Sequence, residues 1–253
     1  MFAASLALAA CGFACGDDAG AALLKPGDRV AFVGGTFWED ERRDGAIETA
    51  LTLAVPGVTF RHLGWGGDMA DQSARRFFGD AADGRAHLLE HLDLVDPTVI
   101  LVAYGRAEAL PGGMPVGEFR GHLDALLGEL AKRTGRVVLV PPGGAGAYAD
   151  AVQDVAGRRD LRVVNESDLA PKPGSGRTPA LGDLTDLIRA KNELFLHRHR
   201  PQNETYLRGF RAHEQGANAA EIARFEPLIA AKDAEIQQLR TRIVKDADMK
   251  DDD

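Results

Sequence analysis

The stretch Asp28-Arg-Val-Ala-Phe-Val-Gly-Gly-Thr-Phe37 restricts the possible folds more than any other part of the chain. Arg29 to Val33 is a short β-branched and aromatic run of the kind that forms a buried strand. Gly34 and Gly35 follow at once and let the backbone reverse where bulkier residues resist. Thr36 then stands at the mouth of a helix, beside backbone N–H groups that have no partner within it. At that place its hydroxyl serves either as a helix N-cap or as a reactive or binding group. The pattern repeats along the chain. Val58 to His62, Thr98 to Tyr104 (TVILVAY), Arg136 to Val140 (RVVLV) and Leu161 to Val164 read as further strands. Helical periodicity falls between them, over Trp38 to Ala54, Arg85 to Leu94, Phe119 to Thr134 and Tyr148 to Gly157. Strands alternating with helices imply a parallel sheet covered on both faces. The turns at Gly34–Thr36, Gly64–Asp68 and Gly105–Glu108 then share one sheet edge and converge on one crevice, where open α/β folds bind ligands. The unbroken apolar run Thr98 to Tyr104 is expected in the sheet interior.

At 253 residues, the chain suits one α/β domain with appendages. A net charge of −8 argues against nucleic acid as a partner. Phe2 to Ala10 is an alanine-rich apolar run, too short to span a bilayer but of secretory-signal length. It ends in Leu8-Ala9-Ala10-Cys11, which resembles a bacterial lipobox, with Cys11 as the residue to be lipidated; no Lys or Arg precedes the run. The expectation is an exported chain, periplasmic or anchored at the outer membrane by a lipid on Cys11. A bridge from Cys11 to Cys15 would close too short a loop to stabilise much. The expected organisation is a leader and linker over 1–22, an α/β domain over 23–190, a helical extension over 191–245 and an acidic tail over 246–253.

Four segments taken together, AFVGGTF, HLGWGGD, ILVAYGRAE and VVLVPPG, resemble the SGNH/GDSL hydrolases in their order and strand context. The trailing KNELFLHRHRPQNETYLRGFRAHEQG is similar to a segment of divergent, planctomycete-type members. The resemblance implies a three-layer flavodoxin-like fold, a C-terminal helical extension and an ester hydrolase acting on acyl or acetyl groups, often on carbohydrate. It places Thr36 where the family has its nucleophilic serine and Gly67 where it has an oxyanion glycine. The family's oxyanion asparagine falls at Ala107, which has no side-chain donor. Gly35, Gly64, Asp68, Gly105, Arg106 and Glu108 are expected to line the crevice.

The family's closing Asp-x-x-His segment has no counterpart. Between Val164 and Lys191, where no regular element is assigned, there is no histidine. The only serines are Ser5, Ser73, Ser167 and Ser175, and none follows a strand in a glycine turn. A threonine nucleophile needs a base. His62 ends the second strand near the crevice. His87, His91 and His122 sit on helices whose surfaces explain them. His197, His199 and His213 belong to the extension, where Phe195, Tyr206 and Phe210 alternate with arginines as in a packed cap or interface. If that segment folds over the sheet edge, His213, His197 or His199 can serve as base for Thr36. His197-x-His199 lacks a third ligand at motif spacing, so neither a metal nor any other cofactor is expected. Phe225 to Val244 reads as a charged amphipathic helix able to pair with a protein partner. Two readings follow: an exported esterase with an atypical Thr36 nucleophile, or a non-catalytic envelope domain that binds a glycan or peptide or acts as a scaffold.

Overall fold

The computed structural model describes residues 23–144, 146–169, 178–201, 204–207, 209–214 and 218–251. The leader with Cys11 and Cys15, and the stretch 170–177, lie outside the described residues. Among the described residues five strands form one sheet: β1 (Arg29–Gly34), β2 (Thr59–Gly64), β3 (Val99–Ala103), β4 (Val137–Leu139) and β5 (Arg162–Val163). Their spatial order is β2-β1-β3-β4-β5 and every pairing is parallel. This is the flavodoxin-like doubly wound order, with the topological switch between β1 and β3. β3 is interior and buried along its whole length, as its apolar run requires. Gly34 lies level with Gly64 on one side and Ala103 on the other, so the three glycine turns leave the sheet at the same edge.

Strand alternation divides the core. Val30, Phe32 and Leu101 face α1 (Thr36–Asp44) and α2 (Ala46–Ala54), meeting Trp38, Ile47 and Leu51. Ala31, Val33, Ile100 and Val102 face α3 (Ala81–Val95), α4 (Val116–Leu130) and α5 (Ala147–Arg159), meeting Leu92, Leu123 and Val152. The single helix anticipated from Trp38 to Ala54 is two helices. Gly45 separates them in the left-handed region at φ 69°, packed beneath Ile188 and Thr185. Periodicity alone does not register one residue of reversed backbone.

After β5 come the short α6 (Glu166–Leu169), then α7 (Pro179–His199) and α8 (Phe225–Asp251). Thr178 caps α7 by accepting from the Leu181 N–H at 3.3 Å, and Pro179 opens it. This helix had no sequence-level assignment, and it runs through the anticipated 190/191 boundary. Its buried face holds Leu184, Ile188 and Phe195 but also Lys191, Asn192 and His199, so its apolar stripe is broken by polar residues. Lys191 is fully buried against the outer strand. Its Nζ donates to Glu48 Oε1 at 2.5 Å and to the Phe60 carbonyl at 3.0 Å. Glu48 Oε2 also accepts from Asn192 Nδ2 at 3.0 Å and pairs with His62 Nε2 at 3.0 Å.

Most apolar positions of α8 are used within the chain, although Leu228 is exposed. Ile229 joins the main core, while Ile236, Leu239 and Ile243 pack with Leu184 and Ile188. Arg61 pairs with Asp233 at 2.6 Å, and Arg240 donates to the carbonyls of Thr52 and Leu53. The extension is therefore latched to the edge of the domain. Among the described residues no helix is long and apolar enough to cross a membrane.

Candidate functional site

The crevice opens where β1 and β3 end. Gly34 lets the two strand ends close together: a Cβ there would come within 2.1 Å of the Ala103 carbonyl oxygen and 2.9 Å of the Trp38 ring. Gly35 then donates to that carbonyl at 3.3 Å and forms the N-cap of α1 without a side-chain bond. Thr36 is thus the first helical residue rather than the N-cap, and it is exposed. Its hydroxyl accepts a hydrogen bond from the Gly67 N–H at 3.1 Å. The amide that the family resemblance assigns to an oxyanion is therefore directed at the hydroxyl assigned to the nucleophile.

Below them lies a buried polar tie. Asp68 Oδ2 accepts from Arg75 Nε at 2.5 Å and from the Tyr104 hydroxyl at 2.8 Å. Arg75 Nη2 continues to the carbonyls of Gly34 at 3.0 Å and Leu63 at 2.7 Å. One guanidinium thus holds the ends of β1 and β2 and the turn after β2. Burial pushes the Asp68 carboxyl above its usual range, against the pull of Arg75 and Tyr104. Glu108 accepts from the N–H groups of Ala70 at 2.8 Å and Gly105 at 2.8 Å, tying the third turn to the second. Burial also raises its carboxyl. At the mouth, Arg106 spans the crevice to form an ion pair with Glu166, its guanidinium 4.7 Å from the centre of the Phe37 ring.

Of the anticipated lining residues, Gly35, Asp68, Gly105, Arg106 and Glu108 do line the crevice together with Thr36. Gly64 instead supports it from below, against the backbone of Trp38 and Glu39. Ala107 lines it and offers no side-chain donor. The sequence reading missed Tyr104, Arg75 and Glu166. Tyr104 at the end of a buried strand was a usable signal, whereas Arg75 and Glu166 come from one-turn helical segments too short to show periodicity.

No imidazole lines this crevice among the described residues. His62 faces the other way, fully buried against Glu48 and 4.5 Å from the Phe32 ring. His197 lies on α7, 3.5 Å from Glu193 and beside the Phe225 ring. His199 is buried against Phe195 and His91. The two imidazoles of the His197-x-His199 pair therefore have different surroundings, and the described residues contain no group of three or more His, Cys, Asp or Glu that could hold a metal. His213 is exposed in the turn Ala212–Glu214. The extension does reach the rim: the Arg200 guanidinium lies 3.8 Å from the centre of the Trp65 ring, just past β2, and Gly209 abuts Phe78.

The crevice can offer a hydroxyl, a guanidinium, two buried carboxyls and backbone groups to a small polar ligand. Among the described residues it offers no imidazole to take a proton from Thr36.

No family model matches the sequence, and no curated protein matches it. Among solved structures, the chain is similar to a lipase/acylhydrolase from Enterococcus faecalis at 13% identity and TM-score 0.40, covering 67% of this chain and 96% of that one. It is similar to a catalytic mutant of an acetylxylan esterase from Geobacillus stearothermophilus at 17% identity and TM-score 0.42, covering 56% and 77%. It is also similar to a lipolytic protein of the G-D-S-L family from Desulfitobacterium hafniense at 13% identity and TM-score 0.39, covering 54% and 75%. These likenesses are of low identity, and the functional reading rests on the site itself.

Proposed function

We propose that this chain is an SGNH-type ester-hydrolase-like domain that has kept its crevice for binding and lost efficient turnover. The observation that carries this reading is the setting of Thr36, whose hydroxyl is held by the Gly67 N–H in a crevice that no imidazole lines among the described residues. A hydrolase without its base keeps only the acceleration from its oxyanion donors and substrate binding, about 10³–10⁴-fold over water. Here the amide at Gly67 is engaged by Thr36 and Ala107 supplies no side-chain donor, so that remainder shrinks further. The ligand class is an acyl- or acetyl-bearing carbohydrate, recognised through Thr36 and Arg106. The sequence pattern at Cys11 supports an exported, lipid-anchored setting, in which such a domain would hold envelope glycans or scaffold a partner.

The test compares p-nitrophenyl acetate turnover by the wild type and Thr36→Ala, alongside calorimetric binding of an acetylated oligosaccharide. Slow turnover indifferent to the substitution, with saturable binding, is expected. Rapid turnover abolished in Thr36→Ala would refute the reading. A second, catalytic reading takes the exposed His213 of the extension, whose Arg200 lies over Trp65 just past β2, as the base for Thr36. In that case His213→Ala would abolish turnover together with Thr36→Ala, while His197→Ala would leave it intact.

A further inference from the structure

Helix α7 ends at Arg200, whose N–H still bonds the Leu196 carbonyl at 2.8 Å, so the docked helix sets where this side chain begins. Earlier in the same helix Lys191 and Asn192 are buried and tied to Glu48. The Arg200 guanidinium then touches two other elements. Its carbon lies 3.8 Å from the centre of the Trp65 ring, on the turn after β2. Its Nη1 lies 3.5 Å from Glu39 Oε2, in the first turn of α1. Glu39 is buried; Arg42 and Arg43 both bond its Oε1, while Oε2 has no hydrogen-bond partner. Among the described residues, Arg200 is the cation that faces this second oxygen.

Those two elements carry the two sides of the central crevice contact. Thr36 opens the helical turn that holds Glu39, and Gly67 belongs to the turn that Trp65 begins. The Trp65 N–H bonds the Gly34 carbonyl at 2.9 Å, and the Trp65 carbonyl accepts from the Asp68 N–H at 3.0 Å, closing the turn around Gly67. Nothing lies within 4 Å of where a Gly67 Cβ would stand, so the anchors on either side set its direction. Asp68 is anchored by Arg75 and Tyr104. The Trp65 ring is covered by Arg200.

We infer that Arg200 is a positioning residue for the crevice: by bracing Trp65 against Glu39 it fixes the turn that aims the Gly67 N–H at the Thr36 hydroxyl. The extension thereby completes the site instead of trailing from it. A cation over an indole face is held by the charge distribution of the ring. The planar guanidinium stacks there and reaches a carboxylate at the same time, which a lysine ammonium cannot do in the same way. The inference rests on the reading of this crevice as a binding site.

The test uses the full chain and begins without a ligand. In Arg200→Met the Trp65 fluorescence should shift to the red and become quenchable by acrylamide; Trp38, the only other tryptophan, is fully buried. In NMR spectra the Gly67 amide proton should move upfield as its bond to Thr36 loosens. Arg61→Met, which cuts the ion pair to Asp233 elsewhere on the extension, should leave that resonance in place. Calorimetry with an acetylated oligosaccharide should show binding weakened about 2- to 30-fold in Arg200→Met, the effect of one cation–π contact. Circular dichroism checks folding. If Arg200→Met is unfolded, Arg200→Lys decides, because it keeps a charge for Glu39 and removes the plane over Trp65; it should recover only part of the Gly67 position. A Gly67 resonance unmoved in the Arg200 variants, an equal shift in Arg61→Met, or unchanged Trp65 fluorescence would overturn the inference. Absence of oligosaccharide binding to the wild type would refute the binding reading of the crevice, while the Gly67 resonance would still decide whether Arg200 sets the turn.

Discussion

Replacing Lys191 by methionine should be among the most damaging single changes in the molecule, even though it puts an apolar residue into a buried place. The ammonium is fully buried and bonded to Glu48 at 2.5 Å and to the Phe60 carbonyl at 3.0 Å. Methionine has nearly the same reach, so the change creates little cavity. What it leaves is a buried carboxylate held only by Asn192 and His62. His62 is held neutral chiefly by burial and contributes a hydrogen bond but no charge at neutral pH. Breaking a buried ion pair from one side costs about 3–5 kcal/mol. Against a total stability of about 5–15 kcal/mol that is a large share, and for a domain of this size it lowers Tm by roughly 6–20 °C. Adding Glu48→Gln should restore much of the loss. The amide oxygen can accept from both Asn192 and His62, and no charge is left without a counter-ion. Urea unfolding followed by circular dichroism on the wild type, both single variants and the double closes the cycle. A Lys191→Met loss under about 1 kcal/mol, or a double variant as unstable as the two single changes summed, would refute the assignment of this group as a charge-paired tie.

Two further outcomes follow from the same structure. The Glu41 carboxyl is pushed up to about 8 by burial, with the nearby Glu48 charge adding to the effect; because the folded state then holds a proton that the unfolded state releases, stability falls as pH rises from about 4.5 toward 8. Glu41→Gln should therefore be more stable than wild type at pH 8 in thermal melts, with the gap closing toward pH 4.5, and a constant gap across that window would contradict the burial argument. Gly34→Ala should destabilise by about 3 kcal/mol or more, since its Cβ would meet the Ala103 carbonyl at 2.1 Å; a melting temperature like wild type's would show that β1 and β3 can part without cost.

The sequence by itself determined the layering of the protein. Apolar runs such as Val99–Ala103, separated by helical periodicity, leave a parallel sheet covered on both faces as the arrangement that buries them. The glycine turns after β1, β2 and β3 had to fall at one edge once the strands were parallel, so Thr36, Asp68 and Arg106 were legible as neighbours before any coordinates. Helix α7 was not legible. Its buried face carries Lys191, Asn192 and His199, which a periodicity argument assigns to solvent. Their burial is tolerable only because Glu48, the Phe60 carbonyl and the Phe195 carbonyl meet them there, and those partners lie on other turns or other elements. The direction in which His62 points was equally hidden: a strand alternates its faces, and only the docked α2 and α7 place a carboxylate against that imidazole rather than an open crevice. Local pattern fixes what the strands and most of the helices between them become. Which polar groups find a partner, and therefore which can be buried, is decided by contacts across the chain that exist only once it has folded.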